Sequence, residues 1–309
     1  MSESLLLIVF NIVILLLLAF DLGIVHRKAH SPSIKESLGW TAFWITLALL
    51  FDGIVWLQFG HVKALEFFTG YVIEQALSVD NVFVFLVILT YFAVPRDAQH
   101  TVLFWGVLSA IVFRALFIVL GAALVARFHW ILYLLGAFLV FTAFKLMRQE
   151  ETQVHPEKNP FVRYAQKVFP VHPQYEGIRF FVRRDGKLLI TPLFLVLIMI
   201  ETTDIAFATD SIPAIFAVTR DTIIIYTSNI FAVLGLRSLY FVVSGFMKEL
   251  KYLRYGLALV LAFIGIKMLI EPLYEIHIGV SLLIIIFIIG ISVVASLIPD
   301  KGAVKGSER

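Results

Sequence analysis

Long apolar segments separated by short polar breaks run along almost the whole chain. Nine of these segments are long enough to cross a bilayer as helices: 4–25, 38–59, 66–93, 101–124, 129–147, 190–218, 222–247, 252–271 and 278–298. Some stretches, such as 282–291, are apolar on every side and lack the polar face that a surface helix of a water-soluble protein keeps. The pattern therefore predicts an all-α polytopic membrane protein with about nine transmembrane helices.

The composition agrees with this prediction. The 309 residues are 60% hydrophobic and 15% charged, and the mean hydropathy is +0.94, so the chain has more apolar surface than one soluble core could bury. The chain contains no cysteine, which excludes disulfides, thiolate metal sites and thiol redox chemistry. No nucleic-acid-binding motif is visible, so the lipid bilayer is the expected partner of most of the surface.

The distribution of basic residues predicts the orientation. The loops after the odd-numbered spans and the carboxyl tail, together with Arg254 near the start of the eighth span, carry eighteen Lys and Arg, whereas the other side carries only Lys63, Arg127 and Arg220. Because cytoplasmic loops are enriched in basic residues, we expect the amino terminus outside and the carboxyl terminus in the cytoplasm. Glu3 and the lack of a basic residue before the first apolar run favour a first span over a cleaved signal peptide.

An internal repeat predicts the architecture. A shift of 124 positions places Asp80 on Asp204, and shifts of 122 to 123 place Arg114 on Arg237 and 133–147 on 255–269. The shift of 124 also places Arg96 and Asp97 on Arg220 and Asp221. Each copy contains three spans, which is an odd number, so the second copy is expected to be inverted relative to the first.

The expected organisation follows from this repeat. Two amino-terminal transmembrane helices occupy 1–60, repeat A occupies 61–148, a cytoplasmic loop occupies 149–189, inverted repeat B occupies 190–272, and a last helix with a cytoplasmic tail occupies 273–309. Within the loop, Asp185-Gly186 is a dipeptide typical of tight hairpin turns. We therefore expect the loop to be a small excursion rather than a further span.

Five carboxylates fall at bilayer depth in the third and sixth spans: Glu74, Asp80, Glu201, Asp204 and Asp210. A bare charge at the centre of a transmembrane helix costs about 2.5 to 3.5 kcal/mol on insertion scales. The two arginines near the centres of the fourth and seventh spans, Arg114 and Arg237, leave a formal charge of −3 on the set. A bound dication and a shared proton would nearly neutralise that charge, whereas internal salt bridges alone would not.

Further oxygen donors strengthen the prediction of a cation site. The supporting residues are Ser78, Asn81, Thr209 and Ser211, with Arg114 and Arg237 as counter-charges. Pro213 cannot donate to the carbonyl of Thr209, and the third and sixth spans exceed the ~20 residues needed to cross, so we expect interrupted or strongly tilted helices there. An all-oxygen site suits Mg²⁺, Ca²⁺ or Mn²⁺.

The motifs around these acids resemble those of the TerC family, closest to its Alx-type members. They are Glu74-x-x-Leu-Ser-x-Asp80-Asn81-Val-Phe, Glu201-Thr-Thr-Asp204-Ile-x-Phe-Ala-x-Asp210-Ser-Ile-Pro213-Ala-Ile-Phe, and Thr227-Ser-Asn-Ile-Phe-Ala-Val-Leu-Gly-Leu-Arg237. The resemblance covers nearly the whole chain and matches all five acids. It implies a bacterial inner (plasma) membrane protein related to LysE-type exporters and associated with Mn²⁺ efflux. This chain has Thr202-Thr203 where some relatives have Leu-Ser, a change that concerns fine selectivity.

The expected function is therefore export of a divalent metal cation, with Mn²⁺ as the transported substrate and no organic cofactor. We expect alternating access at a midplane carboxylate site, in which Asp80 and Asp204 are symmetry-related central ligands and Glu74, Glu201 and Asp210 complete or gate the site. Protons are a candidate coupling ion. No enzymatic activity and no nucleic-acid partner are expected, and the sequence does not indicate protein partners.

Three alternatives remain open at this point. One is a Ca²⁺ or broad divalent cation transporter, and another is a non-transporting membrane assembly or metalation factor, which would tolerate neutralisation of Asp80 and Asp204. An intramembrane aspartyl protease would also need two membrane aspartates, but the chain lacks a Gly-x-Gly-Asp motif and has a surplus of acids.

Overall fold

A computed structural model describes residues 3–20, 33–128, 130–148, 156–184, 186–246 and 252–297. The helices are α1 (Glu3–Phe20), α2 (Ile34–Phe59), α3 (His61–Tyr91), α4 (Arg96–Arg127), α5 (Ile131–Arg148), α6 (Pro160–Val168), α7 (Pro192–Phe216), α8 (Thr222–Phe246), α9 (Leu253–Ile270) and α10 (Ile278–Leu297). A single 3-10 turn, Pro156–Lys158, precedes α6, and two short strands, β1 (Phe181–Arg184) and β2 (Lys187–Ile190), precede α7.

The predicted fold class is confirmed. Within the described residues, eight helices are long and apolar enough to cross a membrane: α2, α3, α4, α5, α7, α8, α9 and α10. The first of the nine predicted spans corresponds to α1, whose apolar stretch Leu7–Ala19 is shorter. The protein is thus an all-α polytopic membrane protein, and the rest of the predicted span 4–25 lies outside the described residues.

A small extramembrane element connects α5 to α7. Strands β1 and β2 pair antiparallel with Arg184 opposite Lys187, and Gly186 adopts a φ of +74°, which a glycine tolerates without strain. The predicted hairpin turn is therefore confirmed, although Asp185 itself lies outside the described residues. The Tyr175 hydroxyl donates to the Phe92 carbonyl at 2.7 Å and fixes this element to the α3–α4 turn. We call this end of the bundle the hairpin face and the other end the opposite face.

The transmembrane helices cross closely at glycines that face small groups of the neighbouring helix. On α9, a Cβ added to Gly265 would lie 2.7 Å from the Gly136 carbonyl oxygen of α5, a distance that real Cβ atoms essentially never show. At the contact between α3 and α8, a Cβ added to Gly70 would lie 2.9 Å from the Ser228 hydroxyl oxygen. Small residues at such crossings bring polar backbone and side-chain groups of neighbouring helices together inside the bundle.

The two helices that carry the acids are continuous, and the predicted interruption is wrong. Helix α3 runs unbroken from His61 to Tyr91, and α7 runs from Pro192 through Pro213 to Phe216. Pro213 lies in the last turn of α7, so the one hydrogen bond that it removes does not break the helix, and the Ala217 amide still donates to the Pro213 carbonyl at 3.2 Å. Length alone therefore did not indicate a break, and the alternative expectation of strongly tilted helices stays a prediction.

Candidate cation site

The guanidinium of Arg114 on α4 holds two of the five acids. Its Nε and Nη2 donate to the two carboxylate oxygens of Asp204 on α7 at 3.1 and 3.0 Å. Its Nη1 donates to Glu74 on α3 and, at 3.3 Å, to the Asn229 amide oxygen on α8. Both Arg114 and Glu74 are completely buried, and Asp204 is 2% exposed. One arginine thus connects the four central helices.

This cluster carries one more negative than positive charge. A two-pronged arginine–carboxylate pair is among the strongest in proteins, but Arg114 can neutralise only one of its two acids. The remaining Glu74 oxygen, Oε2, and the Ser78 hydroxyl are both buried and have no hydrogen-bond partner in the described structure. An excess carboxylate in an apolar interior favours binding of a further cation or proton.

A second pair of acids lines a cavity of about 280 Å³ between α3, α5, α7 and α9. Asp80 on α3 and Asp210 on α7 face this cavity, together with Asn81 and Ser211. The contributing parts of α5 and α9 lie toward the hairpin face, whereas residues 77–84 of α3 lie just past the middle of that helix and residues 203–211 of α7 run from its middle toward the opposite face. The cavity therefore extends from the middle of the bundle toward the hairpin face on the α5–α9 side. The structure therefore brings together Asp80 and Asp210 rather than Asp80 and Asp204.

The cavity wall is rich in oxygen donors. The Thr142 hydroxyl on α5 donates to the Asp210 carboxylate at 3.1 Å, and Thr203 on α7 also faces the cavity. Carboxylate, amide and hydroxyl oxygens are the donors that hard divalent cations prefer. Lys145, which is exposed, contributes a positive charge to the same wall. A dication that binds between the acids would meet this lysine as a like charge.

Glu201 occupies a third environment. It lies one turn before Asp204 on α7, and the Ser109 hydroxyl of α4 donates to its Oε1 at 2.5 Å. Its Oε2 is buried and has no hydrogen-bond partner in the described structure. Glu201 is therefore separated from the cavity and lies beside the Arg114 cluster.

The supporting residues that the sequence predicted divide in the same way. Asn81 and Ser211 line the cavity, Ser78 lies beside Glu74 in the buried cluster, and Arg237 borders a small apolar cavity that Asp204 also borders. Thr209 is exposed, and its hydroxyl donates to the Ala206 carbonyl of its own helix. Within the described ranges, no three Asp, Glu or His side chains converge as ligands of one metal ion. In this conformation the five acids therefore occupy three places.

Sequence reasoning missed several polar residues of these sites. Thr142 and Lys145 lie three positions apart on α5 and face the cavity, and Ser109 and Asn229 contact the buried acids from α4 and α8. A search for every polar residue at bilayer depth, not only for the acids, would have found them.

Ion pairs join the helices at the opposite face. Lys63 at the start of α3 lies 3.0 Å from both Glu66 and Asp221, and Arg220 lies 3.0 Å from Glu271. The residues aligned with Arg220 and Asp221 by the repeat, Arg96 and Asp97, are exposed at the hairpin face. Neither of these two forms an ion pair within the described residues.

Comparison with known proteins identifies the family. The profile of the "Integral membrane protein TerC family" matches residues 59–303. A Myxococcus xanthus protein named "Uncharacterized membrane protein STKORF319" is 48% identical over 290 residues, which cover 94% of this chain and 91% of the relative. A Salmonella typhi protein, whose name describes a candidate "membrane-bound redox modulator Alx", is 45% identical over 294 residues and covers 92% and 91%.

An Escherichia coli K12 protein with the same name as the Salmonella protein is 45% identical over 282 residues, which cover 88% of each chain. No solved structure matches the chain significantly. The family match extends from the end of α2 through α10 and includes both acidic helices, both central arginines and the cavity. The chain belongs to the TerC family of integral membrane proteins.

Proposed function

We propose that the protein exports a divalent metal cation, with Mn²⁺ as its substrate, across the bacterial inner membrane. The observation that carries this proposal is the cavity in which Asp80, Asp210, Asn81 and Thr142 present oxygen atoms inside a membrane bundle. Acids at this depth are rare and expensive unless they bind a cation or a proton. The described structure gives neither Asp80 nor Asp210 an ion-pair partner within 4.0 Å.

The mechanism proposed is alternating access by two inverted repeats. Helices α3, α4 and α5 form one proposed repeat and α7, α8 and α9 the other. Between these two sets of helices, the strongest packing pairs α5 with α9, α3 with α8 and α4 with α7. An inverted repeat would exchange α3 with α7, α4 with α8 and α5 with α9. This exchange keeps the α5–α9 pair and converts the α3–α8 pair into the α4–α7 pair. The helix packing therefore supports the repeat that the sequence predicts.

We infer that this conformation is open toward the hairpin face. The cavity walls on α5 and α9 lie in that half of the bundle, whereas ion pairs of Lys63 and Arg220 join the helices at the opposite face. In the predicted orientation the hairpin face is cytoplasmic and the amino terminus is periplasmic, so the cavity would receive its cation from the cytoplasm.

Export requires an energy source. Moving a dication outward against an inside-negative potential costs about 4.6 kcal/mol per 100 mV, from about 2.3 per charge. We propose that inward proton movement supplies this energy, because carboxylates can exchange a metal ion for protons. The bound cation is substrate and cargo rather than a resident cofactor.

A broad divalent cation or Ca²⁺ transporter is the alternative that the cavity chemistry also fits, because hard cations share these ligands. The name of the Alx relatives refers to redox modulation. This chain has no cysteine, so a redox effect shared with those relatives could not use thiol chemistry. Transport of a redox-active cation would produce such an effect without thiols. An assembly or metalation factor would not need the carboxylates of Asp80 and Asp210.

The test is Mn²⁺ flux in proteoliposomes that enclose a metal-sensitive dye, with and without an imposed proton gradient. Wild type and Asp97→Asn, a variant of an exposed acid, should transport Mn²⁺, and the proton gradient should change the rate. Asp80→Asn and Asp210→Asn should transport little or none while retaining the wild-type gel-filtration profile. Equal flux through the cavity variants and wild type would refute the proposed site, and competition by Ca²⁺ or Mg²⁺ would reveal broad selectivity.

A further inference from the structure

The inverted repeat relates the cavity wall to a second set of residues in the other half of the bundle. The alignment of α3 with α7 pairs Asp80 with Asp204 and Val84 with Ala208. The alignment of α5 with α9 pairs Thr142 with Ile264, Lys145 with Lys267 and Leu146 with Met268, and also pairs Leu261 with Leu139. Ile264, Lys267 and Met268 lie in the half of α9 nearest the opposite face, whereas Asp204 and Leu139 lie near the middle of α7 and α5.

The counterpart residues are closed in this conformation. Asp204, Ile264 and Met268 are each 2% exposed, whereas Asp80, Thr142 and Leu146, with which they align, are only partly buried around the open cavity. Ala208, Ile264, Met268 and Leu139 belong to one packed hydrophobic cluster. The two halves of the bundle therefore contain aligned residues in two different states, one open and one closed.

Each set also contains a second acid that the repeat does not duplicate. Asp210 accompanies Asp80 in the open cavity, and its own aligned position is Leu86. Glu201 accompanies Asp204 one turn nearer the hairpin face on α7, and its aligned position in α3 is Leu77, which lines the open cavity. Each acid without a duplicate accepts a hydrogen bond from one hydroxyl, Thr142 or Ser109. Each set thus holds two carboxylates and a hydroxyl donor.

We propose that Asp204 and Glu201 form a second divalent-cation site, in a cavity that opens to the opposite face between Ala208, Ile264 and Lys267 when the first cavity closes. This inference rests on the proposed alternating-access function and assigns the five acids to separate stages of it. Asp80 and Asp210 receive the cation from the hairpin face, Asp204 and Glu201 present it to the opposite face, and Glu74 remains with Arg114.

Arg114 determines when the second site is available. In the present state its guanidinium occupies both oxygens of Asp204, which are the atoms that a cation would need. The repeat aligns Arg114 with Arg237, so the equivalent contact in the other state joins Arg237 to Asp80. In each state one arginine neutralises one of the two aspartates, and the other aspartate is open to the transported ion. This limits the free-energy cost of an unpaired buried carboxylate.

Site-directed labelling tests the second cavity directly. The chain has no cysteine, so each introduced cysteine is the only thiol in the protein. The probes are Thr142→Cys in the open cavity and its aligned counterpart Ile264→Cys, with Val84→Cys and Ala208→Cys as a second matched pair. A membrane-impermeant maleimide is added to one side of oriented vesicles at a time, with and without Mn²⁺, and labelling is quantified by mass spectrometry.

We expect Thr142→Cys to react from the hairpin face and Ile264→Cys to react from the opposite face. Addition of Lys63→Gln, which breaks an ion pair at the opposite face, should increase the labelling rate of Ile264→Cys severalfold. Failure of both Ile264→Cys and Ala208→Cys to react from the opposite face, in vesicles where Thr142→Cys reacts, would overturn the second cavity. Opposite-face labelling in a protein that moves no Mn²⁺ would support the second cavity and count against Mn²⁺ as cargo.

Discussion

Arg114 and Asp204 form a two-pronged ion pair at the centre of the bundle, with both carboxylate oxygens bound by one fully buried guanidinium. Glu74 completes the cluster on the same arginine. The pairing explains how Asp204 is tolerated inside a membrane helix bundle, whereas the charge of Glu74 is in excess. Asp80 and Asp210 are the pair that faces open space. We thus propose that, in this conformation, Arg114 neutralises one set of carboxylates and the cation binds to another.

Removal of the central arginine should destabilise the bundle. Arg114→Ala would leave Glu74 and Asp204 buried without their cation, and breaking such a pair costs about 3 to 5 kcal/mol. Thermal unfolding in detergent should show a large decrease in Tm, and Arg114→Lys should recover only part of it because lysine cannot make the two-pronged contact. The triple variant Arg114→Met, Glu74→Gln, Asp204→Asn should recover more than Arg114→Ala. A wild-type Tm for Arg114→Ala would contradict the role given to this cluster.

Cavity substitutions should weaken Mn²⁺ binding in graded steps. Asp210→Asn removes a charged ligand and should reduce the affinity for Mn²⁺ at least about tenfold. Loss of a residue that only hydrogen-bonds to a metal ligand already reduces metal affinity by about that factor. Thr142→Val removes only the hydroxyl that donates to Asp210 and should cost at most about 1.5 kcal/mol. Titration calorimetry of the purified protein measures both, with Asp97→Asn as the control. A larger loss for Thr142→Val than for Asp210→Asn would contradict the assignment.

Helix packing at the α5–α9 crossing should be sensitive to one methyl group. Gly265→Ala would place a Cβ 2.7 Å from the Gly136 carbonyl oxygen, and overpacking of this kind costs about 1 to 3 kcal/mol. Gly290→Ala on α10 is the matched control, because an added Cβ there meets nothing within 4 Å. Thermal unfolding should therefore show a lower Tm for Gly265→Ala only. Equal Tm values for the two variants would mean that the crossing is looser than described.

The hairpin element should loosen when its contact with the α3–α4 turn is removed. Tyr175→Phe deletes the hydroxyl that donates to the Phe92 carbonyl, a bond that contributes about 0.5 to 1.5 kcal/mol. Limited proteolysis should then cut within 156–190 faster than in wild type, while the Tm of the helical bundle changes little. Tyr164→Phe, at an exposed side chain, is the control and should leave the cleavage rate unchanged.

The sequence predicted the fold class and the hairpin because hydrophobic runs and an Asp-Gly turn are local signals. The predicted break in α7 was wrong because Pro213 removes only one backbone hydrogen bond. Pro213 lies in the last turn of α7, where the loss of that bond does not interrupt the helix. The acids themselves were evident as charges at bilayer depth. Their partition was not, because Arg114 meets Glu74 across 40 positions and Asp204 across 90, and no local pattern specifies which acid an arginine reaches.

The most direct test of the cation site is to locate Mn²⁺ in crystals of the protein by its anomalous scattering. The proposed function predicts a manganese peak between Asp80 and Asp210 in wild-type protein that is open toward the hairpin face, and loss of that peak in Asp210→Asn. A peak at another location, or no peak in the wild-type cavity at saturating Mn²⁺, would contradict the assignment of this cavity as the site that receives the cation.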